Sequence, residues 1–140
     1  MMNYFTIPKT LPTLNEVVNS ERTNRYKAAS ERKKTEQMIA VFISLAVKQG
    51  TLRPVKEPCE VIIEHYEKYK RKDADNLEIR AKFILDSLVQ CGILENDSRK
   101  YVKNVYHTVH ESDIDSVKVR IVKSVELNVV ELEGGDDRKT

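Results

Sequence analysis

Apolar and polar positions along this chain follow two periods, and the switches between them mark its elements. Asn3 to Ile7 (NYFTI) reads as a short strand, ended by Pro8 and Pro12. Thr13-Leu-Asn-Glu16 fits a capping box, with Thr13 as N-cap, and a helical region follows with a break near Ser20 to Asn24. From about Arg25 to Gln49, Met38, Ile39, Phe42, Leu45 and Ala46 recur at spacings of three and four, which predicts one apolar helical stripe stopped by Gly50. Pro54 and Pro58 bracket a loop. Glu60 to Tyr69 (EVIIEHYEKY), rich in β-branched and aromatic residues, reads as a strand.

The helical period returns from about Asn76 to Gln90, with Leu77, Phe83, Ile84, Leu88 and Val89 as its buried stripe. Asp75 and Glu78 are the expected N-cap and its partner, and Gly92 the stop. Tyr101–His110 and Ser116–Lys123 read as strands, and the Ser112-Asp-Ile-Asp115 turn suggests an antiparallel hairpin between them. This order predicts an α+β fold, a small mixed β-sheet with helices packed on one face. Residues 1–130 are expected to form a single domain, and residues 131–140 an acidic, flexible C-terminal tail.

Composition narrows the picture further. At 140 residues the chain supports one core. Charged residues make up 33% of it, well above the globular average, and suit a small domain with a large working surface. The net charge of +2 says little, but its distribution says more. Six basic residues and one acid lie between Arg22 and Lys34, and four of the five residues from Lys68 to Lys72 are basic. Such patches bind polyanions even on a nearly neutral protein. Cys59 and Cys91 lack metal-type spacing and read as buried thiols in a reducing cytoplasm. No stretch approaches the roughly 18 apolar residues of a membrane span, so a soluble cytoplasmic protein is expected.

Candidate chemistry concentrates between Arg71 and Tyr101. Asp73 and Asp75 are two apart, so in an extended segment their carboxylates leave the same face about 6–7 Å apart. Two or three carboxylates held together are costly unless a cation joins them, and a divalent metal with hard oxygen ligands suits phosphodiester cleavage. Asp97 would be the third, returned by tertiary folding; the competing reading is a helix cap and a solvated turn. Lys82 and Asp86 share a helix face, either as a surface ion pair worth ~0–1 kcal/mol or with Lys82 aimed at a scissile phosphate. The second Asp-x-Asp, Asp113 and Asp115, sits where turn geometry alone favours Asp. His65, His107 and His110 are read as packed or edge residues, and His107 and His110, three apart on a strand, make a poor metal pair.

Taken together, Asp73-Ala-Asp75-Asn76-Leu77, Lys82-Phe-Ile-Leu-Asp86-Ser-Leu88 and Gly92-Ile-Leu-Glu-Asn96-Asp97 resemble the RusA family of crossover junction endodeoxyribonucleases, found in bacteria and especially in their phages and prophages. The likeness covers about 30 residues closely, with weaker similarity at Leu14-Asn15-Glu16 and the basic Arg22–Lys34 stretch. It implies a homodimeric, Mg²⁺-dependent nuclease (Mn²⁺ substituting) that nicks four-way Holliday junctions symmetrically in recombination and repair. Asp73, Asp75 and Asp97 would bind metal, Lys82 would be the essential lysine and Asp86 a supporting acid. Arg22, Arg25, Lys27, Arg32, Lys33, Lys34, Lys70, Arg71 and Lys72 are the candidate contacts to branched DNA, their alternative being a solvated helix face. The chain departs from the family pattern twice. Asn96 takes the first place of an acidic pair, and the Asp75–Lys82 spacing is three residues longer. On a continuous helix that shift moves Lys82 ~4.5 Å along the axis and ~60° around it, unless the helix starts later. The rival expectations are a broader structure-selective nuclease and a non-catalytic phage DNA-binding or regulatory protein.

Overall fold

The computed structural model describes residues 2–11, 25–68 and 77–124, and of residues 25–27 the backbone alone. The Thr13–Glu16 capping box and the acidic tail lie outside the described residues. The described elements are β1 (Tyr4–Ile7), α1 (Arg25–Gln49), β2 (Cys59–Glu67), α2 (Glu78–Gln90), β3 (Val102–Glu111) and β4 (Ser116–Lys123). The fold is α+β, with one four-stranded mixed sheet in the order β1-β4-β2-β3.

Alternation builds the sheet. Along β2, Cys59, Val61 and Ile63 are fully buried on one face while Ile62, Glu64 and Tyr66 are half-buried on the other. Antiparallel pairing sets Val61 against Ile121, Ile63 against Val119 and His65 against Val117. Phe5 pairs with Val119 and Ile7 with Val117 at the far edge. The odd-numbered positions therefore form one apolar face, and Ile39, Ile43 and Ala46 of α1 and Ile84 and Leu88 of α2 close on it in a single cluster. Both helices lie on that side, as the pattern predicts.

Both helices stop by the same device. Gly50 and Gly92 take positive φ, 80° and 77°, where a Cβ is strained. At the first, the Thr51 amide donates to the Ala46 carbonyl (3.0 Å) and the Gly50 amide to Val47 (3.1 Å). Ile93 to Leu88 (2.9 Å) and Gly92 to Val89 (3.1 Å) repeat that closure after α2.

The structure corrects four expectations. Strands β3 and β4 do not form a hairpin: β3 runs parallel to β2, and β4 antiparallel to it on the opposite edge. The most deeply buried strand, β2, lies between them, and the Ser112–Asp115 turn arches over its end. There the Ser112 amide donates to the Glu67 carbonyl (2.9 Å) and the Lys68 amide to Asp115 Oδ1 (2.8 Å). In α1 the buried line is Ile39, Ile43 and Ala46, while Leu45, about 200° around from Ile43, is 45% exposed. Helix α2 starts at Glu78 after Leu77, which makes no side-chain cap bond, so Asp75 is not its N-cap. Finally, Cys91 is exposed at the C-cap of α2; only Cys59 is buried, where burial and the neighbouring Glu60 charge push its thiol up to about 11.

Candidate functional site

Helix α2 carries the candidate site on its outer side. Phe83, Ile84, Ser87 and Leu88 turn inward, which leaves Lys82 exposed and Asp86 half-buried one turn apart. The later start of α2 puts Lys82 in the second turn of the helix. After Gly92 the chain is pinned by the Val55 amide donating to the Ile93 carbonyl (2.8 Å) and by the buried Ile93 and Leu94. The loop then closes on itself: the Ser98 amide donates to Asn96 Oδ1 (2.7 Å), and the Tyr101 and Val102 amides both donate to the Ser98 carbonyl (2.9 Å each). Asn96 thus shapes the turn that holds Asp97 out, a structural use of the position where the family pattern has an acid.

Three of the five residues expected at the centre influence one another electrostatically here. The Asp86 carboxyl is raised above its ordinary value, first by partial burial and then by the negative charge of Asp97, with Lys82 pulling it back. Two carboxylates and an ammonium therefore share one electrostatic neighbourhood, in which a cation would relieve the repulsion between the acids. Asp73 and Asp75 lie outside the described residues, as do Arg22, Lys70, Arg71 and Lys72 and the side chains of Arg25 and Lys27. Among the described residues no three acidic, histidine or cysteine groups are placed to hold a metal. Lys33 and Lys34 are exposed on α1, as is Arg32, so the described part of the basic stretch faces solvent. Lys100 lies over the Tyr101 ring, 5.6 Å from its centroid.

The second acidic pair is structural. Asp115 accepts the Lys68 amide, and Ser112 Oγ accepts the Ile114 amide (3.3 Å), so this turn spends its polar groups on its own backbone. His107 and His110 leave opposite faces of β3, as their spacing requires. His110 stacks on Tyr66 on the uncovered face (4.9 Å), and His107 stacks on His65 on the helix side (5.1 Å).

Beneath α2 lies a group that sequence reasoning missed. Arg80, 1% exposed, donates from Nη1 to Glu67 Oε1 (2.7 Å) and reaches His65 Nδ1 (3.3 Å). His65 Nε2 in turn meets His107 Nδ1 at 2.9 Å. A guanidinium can only donate, so His65 Nδ1 accepts, its proton sits on Nε2 and passes the donation on, and the His107 proton belongs on Nε2. Both rings are neutral in this chain. Burial, Arg80 and His107 hold His65 down at about 3, and burial and Arg80 also lower His107, against Glu78. Two patterns together could have revealed the group. Glu67 and His65 continue the buried odd positions of β2, and Arg80 falls between Leu77 and Ile84 at three- and four-residue spacing. An acid and a base at core positions of neighbouring elements belong together.

No helix among the described residues is long and apolar enough to cross a membrane. No family model matches the chain, and no curated protein matches it significantly.

Proposed function

We propose that the chain is a metal-dependent endodeoxyribonuclease that acts as a RusA-like homodimer and nicks four-way DNA junctions in recombination and repair. The observation that carries this reading is the meeting of Lys82, Asp86 and Asp97 on one side of α2, where Asp97 raises the Asp86 carboxyl and Lys82 lowers it. These residues come from two separate stretches of the motif Asp73-x-Asp75-Asn76, Lys82-x-x-x-Asp86 and Gly92…Asp97. Asp73, Asp75 and Asp97 would hold Mg²⁺. The donor set fits that ion, being carboxylate oxygens without thiol or imidazole. A divalent ion held there would supply Lewis-acid chemistry, acidifying water and polarising the phosphate.

The chain's own groups do the rest. Lys82 offers an ammonium to the charge that builds on the phosphate and the leaving 3′ oxygen as the phosphorus–oxygen bond breaks. Asp86, four residues further along the same helix face, would place its carboxyl near that ammonium. Lys33 and Lys34, with the basic residues of the Lys68–Lys72 run, would neutralise DNA phosphates, so affinity should fall steeply with salt. Two-fold symmetry would present one site to each of the two strands to be cut.

The test is cleavage of a labelled four-way junction in Mg²⁺ by the wild type and by Asp97→Asn. Paired nicks that disappear in the variant while junction binding survives support the reading. Equal cutting of flaps and forks would make the chain a broader structure-selective nuclease. A folded dimer that binds junctions but cuts nothing at any Mg²⁺ or Mn²⁺ concentration would make it a DNA-binding protein instead.

A further inference from the structure

A cleft of about 360 Å³, within the size range of small-ligand sites, opens where the start of β1, the loop after α1 and the end of β4 come together. Its apolar lining comes from Pro54, Val55 and the buried Ile121, and its polar lining from Asn3 and four charged side chains. Arg53, Lys56 and Lys123 are cations and Glu57 is the one acid among them, so the cleft carries a formal +2 (three minus one). The whole chain of 140 residues carries no more than that.

The fold holds this cleft in shape. Asn3 Oδ1 accepts the Arg53 amide (3.0 Å), Asn3 Nδ2 donates to the Arg53 carbonyl (3.2 Å), and the Asn3 carbonyl accepts the Ile121 amide (2.8 Å). One residue therefore ties the loop to the sheet. Arg53 Nη2 donates to the Met2 carbonyl (3.2 Å), so the direction of the half-buried guanidinium is set before any ligand arrives. Lys56 is exposed and has no acid paired with it among the described residues. Lys123 and Glu57 are 3.9 Å apart and more than half exposed, a pair weak enough to open for a competing anion. A guanidinium fork with two ammoniums beside it matches the several oxygens of a phosphate. Among the described residues no aromatic ring lines the cleft, so it offers a base nothing to stack on.

We propose that this cleft is a phosphate-binding subsite with Arg53, Lys56 and Lys123 as its contacts. A backbone phosphate of DNA and a free phosphate ligand both offer that chemistry, and the position of the cleft favours the first. Val55 bridges to Leu94, and Asp97 lies three residues further on, a chain reach of at most about 11 Å. One DNA strand carries a phosphate about every 3.4 Å of axis, so a strand lying on Asp97 comes within a few nucleotides of the cleft. Such a contact sets the register of the strand and reads no sequence. The DNA assignment rests on the nuclease reading above; the subsite itself does not.

The experiment compares the full chain with two charge-matched variants. Lys56→Gln/Lys123→Gln brings the cleft from +2 to zero, and Lys9→Gln/Lys103→Gln removes two lysines outside it. All four lysines are exposed, so both variants should fold. Inorganic phosphate is titrated against the amide resonances of Asn3, Val55 and Ile121, and binding of a four-way junction without Mg²⁺ is followed across 50–200 mM salt. The expected result is phosphate-dependent shifts in the wild type and the outside variant that vanish in the cleft variant. The slope of log affinity against log salt should also fall by about 1 in the cleft variant and stay unchanged in the outside one. Phosphate shifts without a change of slope would keep the subsite and assign it to a free phosphate ligand; a loss of slope confined to the cleft variant, without shifts, would keep it for DNA alone. No phosphate shifts, together with equal slopes in the two variants, overturns the proposal. A wild type that binds no junction defeats the nuclease reading instead, and the phosphate titration then decides the subsite by itself.

Discussion

Helix α2 carries the same chemistry on two sides with opposite outcomes. On its inner side Arg80, Glu67, His65 and His107 satisfy one another away from water. On its outer side Lys82, Asp86 and Asp97 gather with an excess of negative charge and no such closure, Lys82 and Asp97 being exposed. The inner group is closed on itself except at Arg80 Nε, which is buried without a hydrogen-bond partner, and each member loses by the removal of another. The outer group is electrostatically incomplete, and gains by the arrival of a cation. Acids and bases thus serve order in one place and, on the proposed reading, reactivity in the other, and what separates the two groups is burial and the number of partners.

The largest effect expected from breaking this contrast is on the inner side. Arg80→Met leaves Glu67 buried without its partner and should cost about 3–5 kcal/mol in urea unfolding. The Glu67→Leu/Arg80→Met double variant should recover most of that loss, and failure to recover it would mean that the pair is net stabilising rather than costly. On the outer side, Lys82→Ala should leave the urea midpoint almost unmoved while junction cleavage falls by roughly 10²–10³ in kcat, the usual cost of losing one group that stabilises transition-state charge.

Acid should act on the inner side next. Both inner histidines are held neutral below their ordinary range, so the unfolded chain binds protons that the folded chain refuses. Their stabilisation is complete above the unfolded value of 6.5 and is lost as pH falls from there towards the folded value, about 3 for His65. For His65 alone the loss is about 1.4 kcal/mol per pH unit, or about 2 kcal/mol between pH 6.5 and 5. Urea titrations at these two pH values measure it, and His65→Gln should flatten the dependence. The smallest effect sharpens the comparison: Asp86→Asn should shift stability by less than about 1 kcal/mol, because an i, i+4 relation to the exposed Lys82 is worth no more. A larger destabilisation would place Asp86 with the inner group.

Much of the fold was legible because its elements are locally consistent. Helix α1 begins and ends where its charges, apolar spacing and Gly50 place it, and β4 alternates without a fault, Val117, Val119 and Ile121 inward. The partner of each strand was not legible. Ser112–Asp115 has the composition of a tight turn, and nothing local tells that it spans a third strand; that depends on β2, the most buried strand, pairing along both edges. The site was readable in part for the same reason. Spacing along one helix relates Lys82 to Asp86, but the approach of Asp97 depends on the loop turn made by Asn96 and Ser98. The inner group was missed because only apolar residues were counted in the buried stripes, although the spacing of Glu67 and Arg80 points inward.

The sheet order also sets a schedule. Strand β2 obtains both neighbours from residues 102–123, and the single neighbour of β1 is β4, with Phe5 waiting for Val119. A chain emerging from the ribosome therefore carries a strand at residues 59–67 that is unpaired until β3 is made and paired on one edge only until β4 follows. Helix α1 can form early, but no strand can pair before β3 appears. The protein must close its sheet late and almost at once, through contacts between distant parts of the chain. A version truncated before Ser116 would leave one edge of β2 bare and expose an aggregation-prone strand.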